Sequence, residues 1–263
     1  MTLTWQLIKL SARRQFTYRT AALAGLATNF FFGLLRAAVI VALYGARQQV
    51  EGISVQGAIT YTGLSQATIA FLSLFGWYDV MRSVYSGKVG ADLLRPVSYF
   101  QFWMAQDLGR ALVNLLLRGL PIMLFYALAF GITVPDSAES WVGLLLSLFL
   151  AWALSFSFRF LINLVSFWTP NALSIGRLMY SLAWFLSGFL MPLRFFPDWF
   201  VRLTYLTPFP QMVNTVIEIY LGLLHGSGLL GALLFQGLWL ILLIAAGQIV
   251  LRAGVRNLVI QGG

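Results

Sequence analysis

Six stretches of this sequence are long and apolar enough, or nearly so, to cross a lipid bilayer as helices. A membrane-spanning helix needs about 20 mostly apolar residues, because the hydrocarbon core is about 30 Å thick and each residue advances a helix by about 1.5 Å. The six candidate spans are residues 20–44, 59–77, 105–130, 141–167, 175–192 and 229–251. The pattern predicts an all-α integral membrane protein with six transmembrane helices, built as a single domain over residues 1–263.

The amino-acid composition agrees with this interpretation. Of the 263 residues, 60% are hydrophobic and only 10% are charged, and the mean hydropathy is +0.83. A soluble domain is typically about 25% charged, because it needs a polar exterior. The composition therefore excludes a soluble enzyme, a disordered chain and a nucleic-acid-binding module, and we expect no nucleic acid partner despite the net charge of +9.

The basic residues cluster on one side of the predicted bundle. Cytoplasmic segments next to membrane spans carry an excess of lysine and arginine, which face an anionic leaflet. Three basic residues flank the spans on one side, namely Arg47, Arg194 and Arg202. Ten flank them on the side of the chain ends: Lys9, Arg13, Arg14, Arg19, Arg82, Lys88, Arg95, Arg177, Arg252 and Arg256. We therefore predict that both termini are cytoplasmic.

Residues that carry metal, redox or ATP chemistry are scarce. The chain has no cysteine and one histidine, His225, which leaves no ligand set for zinc or an iron–sulfur cluster. A Walker A loop needs the pattern Gly-x-x-x-x-Gly-Lys-Ser/Thr to hold phosphates. Neither of the two lysines, Lys9 and Lys88, fits that pattern. We expect no cofactor in this chain and no enzymatic activity of its own.

The segment before the first span, residues 1–19, mixes apolar and basic residues. As a helix it would lie in the membrane interface, with Lys9, Arg13 and Arg14 toward the lipid head groups. A basic leader exposed to solvent is the alternative.

The connection between the second and third predicted spans, residues 79–98, is longer than a linker needs to be. Gly87 and Gly90 divide it into short helical pieces, and Pro96 ends it. Apolar residues among charged neighbours are typical of a helix that docks on a partner protein. The pattern predicts such a cytoplasmic helix; an interfacial helix without a partner is the alternative.

The segment between the last two spans, residues 193–224, is too apolar for a solvated loop. Four prolines between positions 192 and 210 prevent one continuous helix. Irregular backbone at membrane depth occurs only where it is buried in protein or lines a cavity. We predict two short helices, over about residues 197–206 and 210–221, that dip into the outer leaflet.

Six charged residues fall at membrane depth, where each costs at least about 2.5–3.5 kcal/mol. They are expected to face the bundle or water, and they are Arg36, Asp107, Arg110, Arg118, Arg159 and Glu218. We predict a local i,i+3 pair of Asp107 with Arg110 at the interface. We also predict a pair of Glu218 with Arg36, within one chain or across a dimer. Ser155 and Ser157 are placed to help solvate Arg159. Contact of an arginine with an anionic head group or substrate is the alternative.

Small residues recur every four positions in the first span, at Ala21, Gly25, Gly33 and Ala37, with Asn29 among them. This spacing places them on one helix face and allows close approach of another helix. The face predicts an interface either within the bundle or between two chains.

Three segments resemble the membrane subunit of ABC exporters of the ABC-2 type, closest to the small six-span bacterial permeases. One is the basic leader, and the second runs from Arg82 through Ser-Gly87-Lys to Leu-Leu-Arg-Pro96. The third carries Ser-Gly188, Met-Pro192, Phe-Pro197 and Thr-Pro208-Phe, followed by Ile-Glu-Ile-Tyr-Leu-Gly222. The resemblance covers nearly the whole chain, and the order and spacing of the motifs carry it.

The resemblance implies a function and its residues. Residues 79–98 would be the coupling helix, which contacts a separate ATPase through Arg82, Val84, Tyr85 and Lys88. That partner would bind ATP and Mg²⁺. Such permeases work in pairs, with the same chain or a paralogue, in the bacterial inner membrane. The pathway between two protomers would be lined by Tyr61, Gln66, Phe71, Phe75, Tyr180, Trp184 and Phe189. This aromatic lining implies an amphipathic or lipid-like substrate.

A secondary transporter without an ATPase is the alternative function. Each half of the chain has a long connection before its last span, on opposite sides, as inverted repeats would have. However, the halves share no sequence match, and no relay of Asp, Glu or His lies at mid-membrane. The residues therefore favour a permease of an ATP-driven exporter.

Overall fold

The computed structural model describes residues 3–17, 19–74, 76–169 and 171–257, and these are almost entirely helical. Strands β1 (Gln49–Val50) and β2 (Ile53–Ser54) form one small antiparallel hairpin. A turn of π-helix, Leu115–Gly119, joins α6 to α7. The α-helices are α1 (Leu3–Thr17), α2 (Arg19–Tyr44), α3 (Val55–Leu72), α4 (Asp79–Tyr85), α5 (Val89–Leu93), α6 (Tyr99–Asn114), α7 (Leu120–Phe130), α8 (Ala138–Asn163), α9 (Ala172–Leu186), α10 (Asp198–Tyr205), α11 (Asn214–Tyr220) and α12 (Gly226–Arg256). The predicted all-α class is confirmed.

Four helical stretches of the described residues are long and apolar enough to cross a membrane. They correspond to predicted spans one, three, four and six, and they are Leu23–Tyr44, Tyr99–Phe130, Ala138–Phe167 and Gly226–Arg256. Predicted spans two and five correspond to α3 and α9. The first of these carries many polar residues, and the second has 15 residues. At 1.5 Å per residue α9 is about 22 Å long, which is less than the thickness of the hydrocarbon core.

The central helix of the bundle is α3. It packs against α2, α7, α8 and α11, and 14 of its 18 residues are buried. A Cβ at Gly63 would lie 2.8 Å from the ring of Tyr126, so glycine permits close packing of α3 on α7. The helix ends five residues before the predicted boundary, because Ser73 adopts a left-handed conformation and its N–H caps the carbonyl of Ile69.

The N-terminal helix α1 lies against the first half of α6. The hydroxyl of Ser11 donates to the carbonyl of Gln106 at 2.6 Å. A Cβ at Gly109 would lie 2.3 Å from the carbonyl oxygen of Ile8, so the two backbones touch there and only glycine fits. No residue of α1 is fully buried. The predicted helix before the first span is confirmed, and its position in the membrane interface stays a prediction.

The small-residue face of α2 packs on the helix from α6 to α7, within the same chain. Gly25 lies against the guanidinium of Arg118, and Gly33 lies against the hydroxyl of Tyr126. Asn29 Oδ1 accepts a hydrogen bond from Arg118 at 3.2 Å. Of the two interfaces that the sequence allowed for this face, it therefore forms the one inside the bundle.

Two short helices follow α9, as predicted, at α10 and α11. All seven residues of α11 are buried, whereas Thr204 is the one buried residue of α10. The fifth predicted span ends at Leu186 rather than at position 192. Gly188, with a φ of +79°, turns the chain away from the helix axis there.

Candidate functional site

Asp107, on α6, is the centre of a buried charge cluster. Its carboxylate accepts hydrogen bonds from Nη1 and Nη2 of Arg159 on α8, at 2.8 and 2.9 Å. Trp152 Nε1 donates to it at 3.0 Å, and Arg110 donates at 2.5 Å. The side chains of Asp107 and Arg159 are fully buried. The cluster thus holds two guanidinium groups against one carboxylate.

The predicted pair of Asp107 with Arg110 is confirmed, and its position at the membrane interface stays a prediction. The pair is more than local, because α8 covers the carboxylate and supplies Arg159 as a second, buried partner. Ser155 solvates Arg159 as predicted, because its carbonyl and hydroxyl accept from Nε at 3.2 and 3.3 Å. Ser157 does not take part, since its hydroxyl donates to a carbonyl of its own helix.

A cavity of about 450 Å³ lies beside this cluster, between α1, α4 and α6. The charged residues that line it are Arg14, Asp79, Arg82, Asp107, Arg110 and Arg118. Tyr78 lies at its edge, outside the spans. Burial raises the pKa of the Tyr78 hydroxyl above its usual range, and nearby Arg177 opposes that rise. Arginines outnumber aspartates along the walls, so the cavity is positively charged.

One asparagine fixes the connection between α3 and α6 to the bundle. Asn163, at the end of α8, accepts from the N–H of Met81 at 3.2 Å and donates to the carbonyl of Trp77 at 2.7 Å. The hydroxyl of Tyr180, on α9, donates to the same Trp77 carbonyl at 2.7 Å. The side chains of Val80 and Met81 are fully buried. This connection is therefore attached to both α8 and α9.

The two short helices of the connection form one unit. Ser83, on α4, donates to the carboxylate of Asp92, on α5, at 2.6 Å. Arg95 donates to the other oxygen of Asp92 at 3.2 Å, and its guanidinium lies 4.4 Å from the ring centroid of Phe102. We call residues 79–98, which the sequence predicts to contact an ATPase, the coupling segment from here on.

The four predicted coupling residues lie on the outer side of this segment. Arg82, Tyr85 and Lys88 are exposed, and Val84 is half-buried. Gly87, with a φ of +70°, makes the turn between the two helices beside them. Arg82 pairs with Asp79 along α4. The segment thus has one buried face and one exposed, mostly polar face.

The predicted pathway residues have different surroundings. Five are buried inside the single chain, namely Tyr61, Gln66, Phe71, Tyr180 and Phe189, whereas Trp184 is 37% exposed. Phe75 lies outside the described residues. Tyr180, Trp184 and Arg177 share the walls of a cavity of about 300 Å³ on α9. Of the predicted pathway residues that the structure describes, only Trp184 is therefore at a surface, Tyr180 is buried in the wall of this cavity, and those of α3 are in the core.

A network of hydrogen bonds holds the break after α9 in place. Tyr61 donates from its hydroxyl to the carbonyl of Gly188 at 2.6 Å and contacts Asn214 Oδ1 at 3.0 Å. Arg36, on α2, donates to the carbonyls of Phe189 and Leu190 and stacks on the Phe189 ring at 4.2 Å. The carbonyls freed by the break are thus satisfied by side chains from α2 and α3.

The predicted pair of Glu218 with Arg36 is wrong within the chain. Glu218 accepts from Nε of Arg194 at 2.7 Å instead. Arg194 follows the broken end of α9 and lies beside α11, whereas the guanidinium of Arg36 is already bonded to backbone carbonyls.

Most of the chain matches the model of a known protein family. The model described as ABC-2 family transporter protein matches residues 30–262, which is most of the chain. The chain belongs to the ABC-2 transporter family. A search of curated proteins finds no match. The resemblance stated from the sequence motifs is thereby confirmed.

Family membership gives the apolar helices a role. This ABC-2 protein is a multi-pass membrane component of a transporter, and its four long apolar helices are its candidate spans. Among the residues that the structure describes, no three His, Asp or Glu side chains come together as a metal site.

Several important residues of this ABC-2 protein were not predicted from the sequence. Asn163, Trp152 and Asn214 are buried hydrogen-bonding residues of the two networks. A signal existed for the two asparagines, since an amide in an apolar segment must find partners. No sequence signal singles out Trp152 among the nine tryptophans of the chain.

Proposed function

We propose that this chain is the permease subunit of an ATP-driven exporter, that it forms half of a dimeric translocation pathway, and that separate ATPase subunits drive it. The coupling segment carries this proposal. Its buried face is bonded to α8 through Met81, and Trp77, two residues before it, is bonded to both α8 and α9, while its other face is exposed and available to a partner. A solvated linker would need no such attachment.

The topology belongs to the same proposal. α3 and α9 complete six spans, with α3 shielded from lipid by its neighbours and the shorter α9 ending before the outer surface, where the chain turns at Gly188. α10 and α11 are re-entrant helices at the outer face. Both termini then lie in the cytoplasm of a bacterial cell, together with α1 and the coupling segment, in agreement with the ten basic residues on that side.

The route of coupling runs through Asn163 and Tyr180. Motion of an ATPase against Arg82, Val84, Tyr85 and Lys88 would displace the coupling segment as a unit. Because the Trp77 carbonyl accepts from both Asn163 and Tyr180, that displacement reaches α8 and α9 directly. A rigid connection of this kind is what a two-state transporter needs to link two distant sites.

The exposed face of α9 is the proposed start of the pathway. It carries Arg177, Ser181 and Trp184 among exposed apolar residues such as Leu178 and Phe185, while a narrow stripe on its other side is buried against the bundle. Tyr61 and Phe71, on α3, belong to the same buried cluster as Tyr180, so they would reach the pathway when α9 moves outward. Gln66 packs against Gly33 of α2 and would reach the pathway only if α2 moves as well. An aromatic and polar lining of this kind suits an amphipathic or lipid-like substrate.

The test is purification of the full chain from its native membrane in mild detergent, with identification of every co-purifying protein. We expect an ATPase subunit in a fixed ratio, and its loss when Tyr85 is replaced by Ala and Lys88 by Glu. A matched control replaces Arg47, at the far end of α2, by Glu and should retain the ATPase. A chain that purifies alone and transports in ATP-free vesicles would instead support a secondary transporter.

A further inference from the structure

The positively charged cavity between α1, α4 and α6 has more charge than its own carboxylates neutralise. Its walls and the adjacent Arg159 supply five arginines against two aspartates, which leaves three positive charges in excess. Asp79 is engaged by Arg82, and Asp107 by Arg110 and Arg159. Among the described residues, no carboxylate pairs with Arg14 or Arg118.

Arg118 is held in place by local backbone features. It lies in the π-helical turn between α6 and α7, just before Pro121, which has no N–H to give to a regular helix. Gly25 makes room for its guanidinium, since a Cβ there would lie 2.9 Å from the central carbon. Nη2 reaches Asn29 Oδ1 at 3.2 Å, while Nε is enclosed without an acceptor.

Arg14 comes to the same cavity from a different element. It lies on α1, one turn after Ser11, whose hydroxyl fastens α1 to α6. The contact at Gly109 fixes the position of α1 along α6. Arg14 and Arg118 therefore line the same cavity, together with the side-chain amides of Gln106 and Asn114. Arginines from two helices and neutral donors around a cavity are the arrangement by which proteins bind phosphate groups.

We propose that this cavity is a binding site for a phosphate group, and that the phosphate is carried by the head group of an anionic phospholipid. The cavity lies between α1 and the half of the long apolar helix Tyr99–Phe130 that carries Gln106 to Arg118. The sequence predicts α1 to lie in the membrane interface, where phospholipid head groups are concentrated. Its volume of about 450 Å³ is in the range of small-molecule sites and suits a glycerophosphate head group. Free phosphate shares the recognised chemistry and is the second source to be tested.

The experiment uses the full chain, with any co-purifying subunits, in dodecyl maltoside. The unfolding midpoint is measured while dioctanoyl phosphatidylglycerol, dioctanoyl phosphatidylcholine or inorganic phosphate is added, since a ligand that binds the folded state raises the midpoint. The variants are Arg14→Gln and Arg118→Gln. Arg13→Gln is the matched control, because Arg13 is an exposed neighbour on α1 that does not line the cavity.

We expect phosphatidylglycerol to bind at least about ten-fold more tightly than phosphatidylcholine. Arg14→Gln should weaken phosphatidylglycerol binding several-fold, Arg118→Gln about ten-fold or more, and Arg13→Gln less than about two-fold. If inorganic phosphate competes with phosphatidylglycerol, the site recognises phosphate groups in general. If it does not compete, the site is specific for the lipid. Equal affinity for the two lipids overturns the proposal, as does equal loss in Arg13→Gln and Arg14→Gln. If the Arg118→Gln variant does not fold, the comparison of Arg14→Gln with Arg13→Gln tests the proposal, because Arg14 is exposed.

Discussion

The carboxylate of Asp107 and the guanidinium of Arg159 face each other across α6 and α8 as a fully buried, two-bond ion pair at 2.8 and 2.9 Å. A buried pair of this kind gains little over apolar packing, but the loss of one partner leaves the other charge uncompensated. Here the loss of the carboxylate would leave Arg159 and Arg110 facing each other. The pair therefore fixes the contact of α6 with α8.

Replacing Asp107 by Asn should destabilise the protein by about 3–5 kcal/mol, because two buried guanidinium groups lose the one carboxylate that pairs with them among the described residues. The unfolding midpoint of the full chain in mild detergent measures the effect. Asp79→Asn is the matched control. Asp79 pairs with an arginine that is 70% exposed, so its loss should cost less than about 1 kcal/mol. Similar losses in both variants would contradict the role given to Asp107.

Gly188→Ala should be far more damaging than Gly222→Ala. Both glycines have positive φ, so an alanine at either costs about 1–2 kcal/mol of backbone strain. At Gly188 a Cβ would also lie 2.8 Å from the Tyr61 hydroxyl and from Asn214 Cβ, whereas at Gly222 it meets nothing within 4 Å. Overpacking should add about 1–3 kcal/mol at Gly188 alone. Equal unfolding midpoints for the two variants would show that the network around the break is loose.

Glu218 should be coupled to Arg194 and not to Arg36. A double-mutant cycle of Glu218→Gln with Arg194→Gln should give an interaction energy of about 1–2 kcal/mol, because the pair is largely shielded from solvent. The cycle of Glu218→Gln with Arg36→Gln should be additive within about 0.5 kcal/mol. Strong coupling in the second cycle would indicate that Arg36 pairs with Glu218 after all, through a contact between two protomers.

The contact of α1 with α6 should depend on Gly109. The chain has no cysteine, so a pair introduced at Ser11→Cys and Gln106→Cys reports on this contact without background. We expect efficient disulfide formation in that variant, and a several-fold loss when Gly109→Ala is added, because the new Cβ would collide with the Ile8 carbonyl. Gly237→Ala, with open space around the position, is the control and should leave cross-linking unchanged. Unchanged cross-linking in Gly109→Ala would mean that α1 is not docked.

The apolar runs predicted the helices well, because a long uncharged segment has few alternatives to a helix in lipid. The boundaries were less predictable. α9 ends at Leu186, since the chain turns at Gly188 while the residues after it stay apolar. The hydropathy pattern shows that the residues after Gly188 are apolar, but it does not show the turn. The short helix α10 could be predicted with its limits, because Pro197 and Pro208 flank it, whereas α11 begins at Asn214, four residues after the predicted start at Pro210.

The partners of the buried charges could not be read from the sequence in the same way. Asp107 and Arg110 are close along one helix, and the i,i+3 spacing predicts them. Asp107 and Arg159 lie on different helices, and their pairing depends on how α6 is rotated against α8. The same reason explains the wrong partner for Glu218. Arg194 was predicted only to flank the spans on the same side of the bundle, and the position of the chain after Gly188 brings it to Glu218.

The most direct test of the central claim asks whether an ATPase touches the coupling segment. A benzophenone maleimide attached at Ser86→Cys, an exposed position between Tyr85 and Gly87, should cross-link the chain to an ATPase subunit upon illumination of native membranes. The same probe at Arg47→Cys, exposed at the other end of α2, should give no such product. Cross-linking at Ser86 alone is the predicted result. An ATPase product at neither position, or equal products at both, would contradict the account.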